Sequence, residues 1–106
     1  MDNFKAVYKI LKALEASMDL EAANVDMFNA EKLGVSQNRW NRYIEMMYDV
    51  GYIKGIQITK YVDGTTMVDC DDIEITLKGL EYLQENSIMQ KIYKAAKGVK
   101  DITPGI

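Results

Sequence analysis

Histidine is absent from this chain of 106 residues. Its absence removes the usual general base at neutral pH and the commonest nitrogen ligand for metals. Cysteine occurs once, at Cys70, so no disulfide closes within the chain and no thiolate cluster is available for zinc, which suits a reducing compartment. Cys70 sits between Asp69 and Asp71, whose negative field opposes the thiolate, and it reads as a structural thiol rather than a nucleophile. Neither the GxxxxGK[ST] nor the GxGxxG type of phosphate loop occurs, so nucleotide-dependent catalysis has no visible seat. The apolar runs fall well short of the ~18 residues of a membrane span. The start, Met1-Asp2-Asn3-Phe4-Lys5, is too charged for a secretory leader. Together these absences predict a cytoplasmic protein that is not an enzyme, carries no cofactor or metal, and does not enter a membrane.

Asp69, Asp71, Asp72 and Glu74 alternate in a way that resembles a calcium loop. They lack the loop glycine and the closing bidentate glutamate, and they read as a solvated acidic turn.

What is present is periodic. Phe4, Val7, Leu11, Leu14 and Met18 recur at spacings of three and four, which predicts a helix from Asn3 to Met18 with Tyr8 and Ile10 at the flanks of its buried face. The register is lost over Asp19 to Asn24, and Val25-Asp26-Met27 alternates as a short strand does. A short helix fits Asn29 to Leu33; Gly34 is suited to close it in the left-handed conformation, and Ser36 to cap a second helix from Gln37 to about Val50. On that second helix Trp40, Tyr43, Ile44 and Met47 share one face, while Asn38, Arg42, Glu45 and Asp49 share the other. Helix, tight turn and helix is a helix-turn-helix layout.

Tyr52 to Tyr61 is then rich in β-branched and aromatic residues, Asp63-Gly64 signals a hairpin, and Thr65 to Asp69 is the returning strand. A two-stranded ribbon directly after a helix-turn-helix is the order of a winged helix. Thr76 is placed to cap a further helix over Leu77 to Asn86, with leucines spaced by three on the buried side. Ser87-Ile88-Met89-Gln90 has capping-box spacing and opens a last helix to about Gly98. The expected fold class is therefore α+β, a winged helix-turn-helix with extra C-terminal helices. It forms a single domain over residues 1–100, followed by a flexible tail at 101–106.

Three phrases carry a family likeness: DVGYIKGI (Asp49 to Ile56), ITLKGLEYLQENS (Ile75 to Ser87) and QKIYKAAKGVKDI (Gln90 to Ile102). Together they resemble the YjcQ family, small winged-helix proteins of Gram-positive bacteria and their prophages. The likeness runs from Lys5 to Ile102 in the same order of elements. It implies the fold and an association with prophages.

Charge is distributed unevenly. The chain carries −3 in all, yet residues 34 to 61 carry +2 and residues 62 to 86 carry −6. Non-specific affinity for duplex DNA comes mainly from Lys and Arg neutralising phosphates, so an acidic domain binds well only where its basic groups converge. The first turns of the second helix offer Gln37, Asn38, Arg39, Asn41 and Arg42. Asn and Gln pair with adenine and Arg with guanine in the major groove. Lys60, Tyr61, Thr65 and Thr66 fall toward the hairpin end, within reach of the DNA backbone. Asp63, Glu45 and Asp49 oppose those contacts.

The expected function is that of a DNA-binding transcriptional regulator, phage- or prophage-associated, whose partner is double-stranded DNA. The alternative is a winged-helix module that binds another protein through Asp69 to Glu74 or the terminal helix, without touching DNA. The apolar stripe Ile88, Met89, Ile92, Tyr93 and Ala96 either completes the core or pairs with a second copy in a homodimer. A continuous positive face across Arg39, Arg42 and Lys60 favours DNA, and a face interrupted by acids favours a protein partner.

Overall fold

The computed structural model describes residues 3–86. The expected helix from Ser87 to Gly98, the stripe assigned to core or homodimer, and the tail at 101–106 lie outside the described residues. The described chain is α+β, with helices around two small antiparallel sheets and one shared hydrophobic core.

Helix α1 spans Asn3–Ala16 and buries Ala6, Ile10, Leu11 and Leu14. The apolar face is rotated from the expected one. Leu11 and Leu14 are buried and Val7 is half-buried, but Phe4 and Met18 are exposed. Two local causes account for the shift. Ala6, without side-chain bulk, brings the helix close to the core, and the helix stops at Ala16, where Ser17 Oγ donates to the Ala13 carbonyl at 2.9 Å. A 3-10 turn over Ser17–Asp19 then carries Met18 out of register.

Val25–Met27 is likewise a 3-10 turn and not a strand. The Asn24 side chain accepts from the Asp26 amide at 3.0 Å, and that local bond satisfies a donor that a strand ladder would otherwise need.

Helix α2, Ala30–Leu33, is capped by Asn29, which accepts from the Lys32 amide at 2.9 Å. Gly34 takes a φ of 71°, its amide donating to the Glu31 carbonyl while Val35 donates to Ala30. This pair of bonds closes the helix at a left-handed residue and reverses the chain within two residues. Helix α3, Gln37–Asp49, starts at once, with Ser36 Oγ accepting from the Arg39 amide at 3.1 Å. Its buried residues are the four expected: Trp40, Tyr43, Ile44 and Met47. Trp40 stacks on Phe28 with ring centroids 6.5 Å apart and donates its indole N–H to the Phe28 carbonyl at 2.8 Å.

The extended segment is interrupted where one continuous hairpin was expected. β1 (Ile53–Lys54) pairs with β4 (Glu74–Ile75), and β2 (Gln57–Lys60) pairs with β3 (Thr66–Asp69). Between the two ladders the outgoing chain spends Gly55 and Ile56, while the returning chain spends Cys70 to Ile73. The unequal lengths form a bulge that re-aims the outer hairpin, and they bury Ile56, Cys70 and Ile73. Gly55 has a φ of 79°, and a Cβ there would overlap the Asp72 carbonyl oxygen. At the tip the Gly64 amide donates to Tyr61 at 3.0 Å, so the ladder resumes at Thr66 rather than Thr65.

Thr76 caps the last described helix, α4, over 77–86, accepting from the Gly79 amide at 3.1 Å. Of its leucines Leu83 is buried and Leu80 half-buried. Leu77, expected on the buried side, is exposed, because the inward face of the first turn passes through Gly79, whose missing side chain lets the helix close on the Tyr52 carbonyl.

Candidate nucleic-acid interface

Helix α3 is positioned by its inner face. Trp40, Tyr43, Ile44 and Met47 fix its rotation, so Asn38, Arg42 and Glu45 must point outward. The hairpin lies beside this helix, β3 packing against it. The Asn41 amide nitrogen donates to the Thr66 carbonyl at 3.4 Å. A groove of about 280 Å³ runs between the two, lined by Asn38, Asn41, Arg42, Glu45, Lys60, Gly64 and Thr66.

The residues expected from sequence divide into three groups. Asn38, Asn41, Arg42 and Lys60 meet in the groove, with Thr66 at its wall. Gln37 lies outside the groove lining and donates to Asn41 Oδ1 at 2.9 Å, which helps hold the Asn41 amide toward the hairpin. Arg39, Tyr61 and Thr65 lie elsewhere. The Arg39 guanidinium donates to Asn3 Oδ1 at 3.0 Å, the same oxygen that accepts from the Tyr43 hydroxyl, so it faces the start of α1. Tyr61 reaches across the outer side of the hairpin, its hydroxyl 3.8 Å from Met67 Sδ. Thr65 folds onto Asp63, donating to its carboxylate from both backbone amide and hydroxyl. Those two bonds, the backbone one first, lower the Asp63 pKa below the ordinary 3.8. The hairpin tip therefore carries a fixed negative charge.

One contact was not visible from sequence. Lys60 Nζ lies 2.9 Å from Glu45 Oε2, so the single cation of β2 is offset by an acid of α3. The positive face across Arg39, Arg42 and Lys60 is thus interrupted by Glu45. Arg42 has no ion-pair partner among the described residues. The signal in the sequence was indirect. Glu45 follows Asn41 by four residues and Arg42 by three, on the helix face turned to whatever packs outside it.

Cys70 is buried at the start of the returning side of the bulge. Burial, then the charges of Asp69 and Asp71, push its thiol up to about 11, which keeps it protonated and unreactive at neutral pH. Asp69 accepts from the Asp71 amide at 2.9 Å, so part of the acidic segment is spent on holding its own turn. No described helix is long and apolar enough to cross a membrane.

No curated protein and no solved structure matches this chain. The YjcQ protein family model matches residues 8–102. With the match extending over most of the sequence and carrying the motifs around Gly51, Thr76 and Gln90, the chain belongs to the YjcQ family.

Proposed function

We propose that the chain is a winged-helix protein that binds double-stranded DNA, with α3 as its reading helix, the outer hairpin as its wing, and transcriptional regulation as its role. The observation that carries this reading is the convergence of Asn38, Asn41 and Arg42 from the first turns of α3 with Lys60 from the hairpin in one groove. Those side chains combine base-edge recognition with phosphate neutralisation, and helix-turn-helix proteins present the start of the second helix to the major groove. Asn38 and Arg42 are exposed and face outward, open to an incoming base edge or phosphate.

The interruption at Glu45 weighs less than its sign suggests. The Lys60 and Glu45 side chains are 65% and 31% exposed, and ion pairs so open to water are worth ~0–1 kcal/mol. A DNA phosphate, which also releases condensed counterions, displaces such a pair at little cost. Among the described residues Arg39 has only a neutral partner, Asn3, and swings away from it at similarly small cost.

The test is the affinity for a random-sequence duplex measured by fluorescence anisotropy at several salt concentrations. Replacing both Arg39 and Arg42 by Ala should weaken binding and flatten its dependence on salt by up to about 0.9 for each phosphate that is no longer neutralised. If both binding and slope are unchanged, the groove is not the interface.

A second reading has its own observation. Val62 is wholly exposed, and Tyr61 and Met67 are about half exposed, on a hairpin that carries Asp63 at its tip and Asp69 at its base. An apolar cluster beside acids suits a basic protein partner better than a phosphate backbone. Absence of salt-dependent duplex binding would favour it.

A further inference from the structure

We propose that the cleft between α3 and the hairpin is a seat for one backbone phosphodiester, and that Glu45 occupies its lysine in the free protein in place of that phosphate. This rests on the DNA-binding reading and adds to it the ligand chemistry of one site and the residue that restrains it.

The cleft holds about 280 Å³, room for a phosphodiester group with bridging waters at ~30 Å³ each. Its lining is suited to an anion. Arg42 contributes a guanidinium with no ion-pair partner among the described residues, and Asn38 a side-chain amide. Lys60 reaches in from the opposite wall. Arginine forks onto two phosphate oxygens and lysine meets a third as a point charge. Gly64 and Thr66 bring the hairpin backbone to the same wall, with no bulky side chain at Gly64 to exclude an approaching strand.

Glu45 is the exception in this lining, and its contact gives it a role. Its Oε2 stands 2.9 Å from Lys60 Nζ, a distance typical of charge-assisted N–H···O bonds to either a carboxylate or a phosphate. The Lys60 ammonium is thus already in the place where an anionic oxygen is to be received, and the carboxylate supplies that oxygen until a phosphate does. Because Glu45 repels an incoming phosphate while Lys60 is attracted to it, the two residues act on binding as a coupled pair and not as independent charges.

Coupling is what a double-mutant cycle measures. Duplex affinity and its salt slope are compared for the wild type, Glu45→Gln, Lys60→Gln and the double variant. Thermal melting confirms that each is folded, since both side chains lie near the surface. Glu45→Gln should strengthen binding by about two- to five-fold, as the loss of an exposed ion pair allows. Lys60→Gln should weaken binding and reduce the salt slope by about 0.9. In the Lys60→Gln background the gain from Glu45→Gln should shrink to less than half. A gain that persists undiminished in that background means Glu45 acts only as a distant negative charge and overturns the proposal. Wild-type binding that depends on Arg39 and Arg42 but ignores both new substitutions also overturns it, while leaving the DNA-binding reading intact. No binding by any of the proteins overturns both.

The source of the phosphate is separated by titrating inorganic phosphate, at constant ionic strength, into the free protein while following the amides of Asn38, Asn41, Gly64 and Thr66 by NMR. A backbone seat responds to duplex far below the concentration at which inorganic phosphate acts. Saturation by inorganic phosphate at equal or lower concentration would make this a free-anion site and overturn the proposal.

Discussion

Replacing Trp40 by Phe tests whether the indole sets the position of α3. Trp40 is 4% exposed, stacks on Phe28, and donates its N–H to the Phe28 carbonyl at 2.8 Å. Phenylalanine keeps the stacking partner but has no donor. The Phe28 carbonyl, on a residue only 1% exposed, then loses its bond in a dry setting, at a cost of ~1–3 kcal/mol. The smaller ring also leaves apolar volume unfilled, comparable to one or two methylenes at ~0.8 kcal/mol each. The sum is about 3 kcal/mol, which at ~4–8 °C per kcal/mol for a domain of this size lowers Tm by about 12–24 °C. The assay is urea and thermal unfolding followed by far-UV circular dichroism, because the substitution removes the only tryptophan and with it the fluorescence signal. A loss below ~1 kcal/mol would mean that the carbonyl finds water or another donor, and that α3 is not anchored through this bond.

Three further perturbations act on the frame of the groove. Ser36→Ala removes the cap on α3 and should cost ~1 kcal/mol in urea unfolding, with Ser36→Asp close to wild type. Gly55→Ala places a methyl against the Asp72 carbonyl at a left-handed φ; it should destabilise the fold by more than ~2 kcal/mol, read as a large fall in Tm. Cys70 has its pKa raised from the ordinary 9.0 to about 11 in the folded state, so its contribution is complete below pH 9 and is lost as pH rises from 9 through 11. Urea midpoints for the wild type should therefore fall over that interval more steeply than those of Cys70→Ala. Parallel curves would show that the thiol titrates alike in both states.

Helix α3 was legible because its four core residues, Trp40, Tyr43, Ile44 and Met47, follow the helical repeat without competition, and Gly34 and Ser36 mark its boundary chemically. Helix α1 was legible as a helix but not in its facing. Apolar residues occur around much of its circumference, and the choice between Phe4 and Ala6 as the buried position is made by what packs on it. Leu77 failed for a related reason. The inward face of that first turn is set by the close approach of Gly79 to the Tyr52 carbonyl and not by the spacing of Leu77 from Leu80. Val25–Met27 was too short for alternation to outweigh the Asn24 cap. Within the hairpin, β-branched composition located the strands, whereas the unequal excursion at Gly55 and Cys70 to Ile73 depends on pairing between distant residues.

The site divides in the same way. Asn38, Asn41 and Arg42 were placed together by helical phase alone. Arg39 has nearly the same chemistry, yet Asn3, far away in sequence, draws it toward α1. The ion pair of Glu45 with Lys60 joins a helix to a strand across fifteen residues, a distance over which local spacing carries no information. The face across Arg39, Arg42 and Lys60, whose continuity favours DNA and whose interruption favours a protein partner, is interrupted by Glu45, which leaves two guanidinium groups and a restrained lysine.

The most direct test of the central claim is to map where duplex DNA touches the protein. Titrating a random-sequence duplex into isotope-labelled protein at low salt should move the backbone amides of Asn38, Asn41, Arg42, Gly64 and Thr66 first and furthest, and added salt should reverse the shifts. Shifts confined to Tyr61, Val62, Met67 and Asp69 on the outer hairpin face, or no shifts at all, would contradict the account.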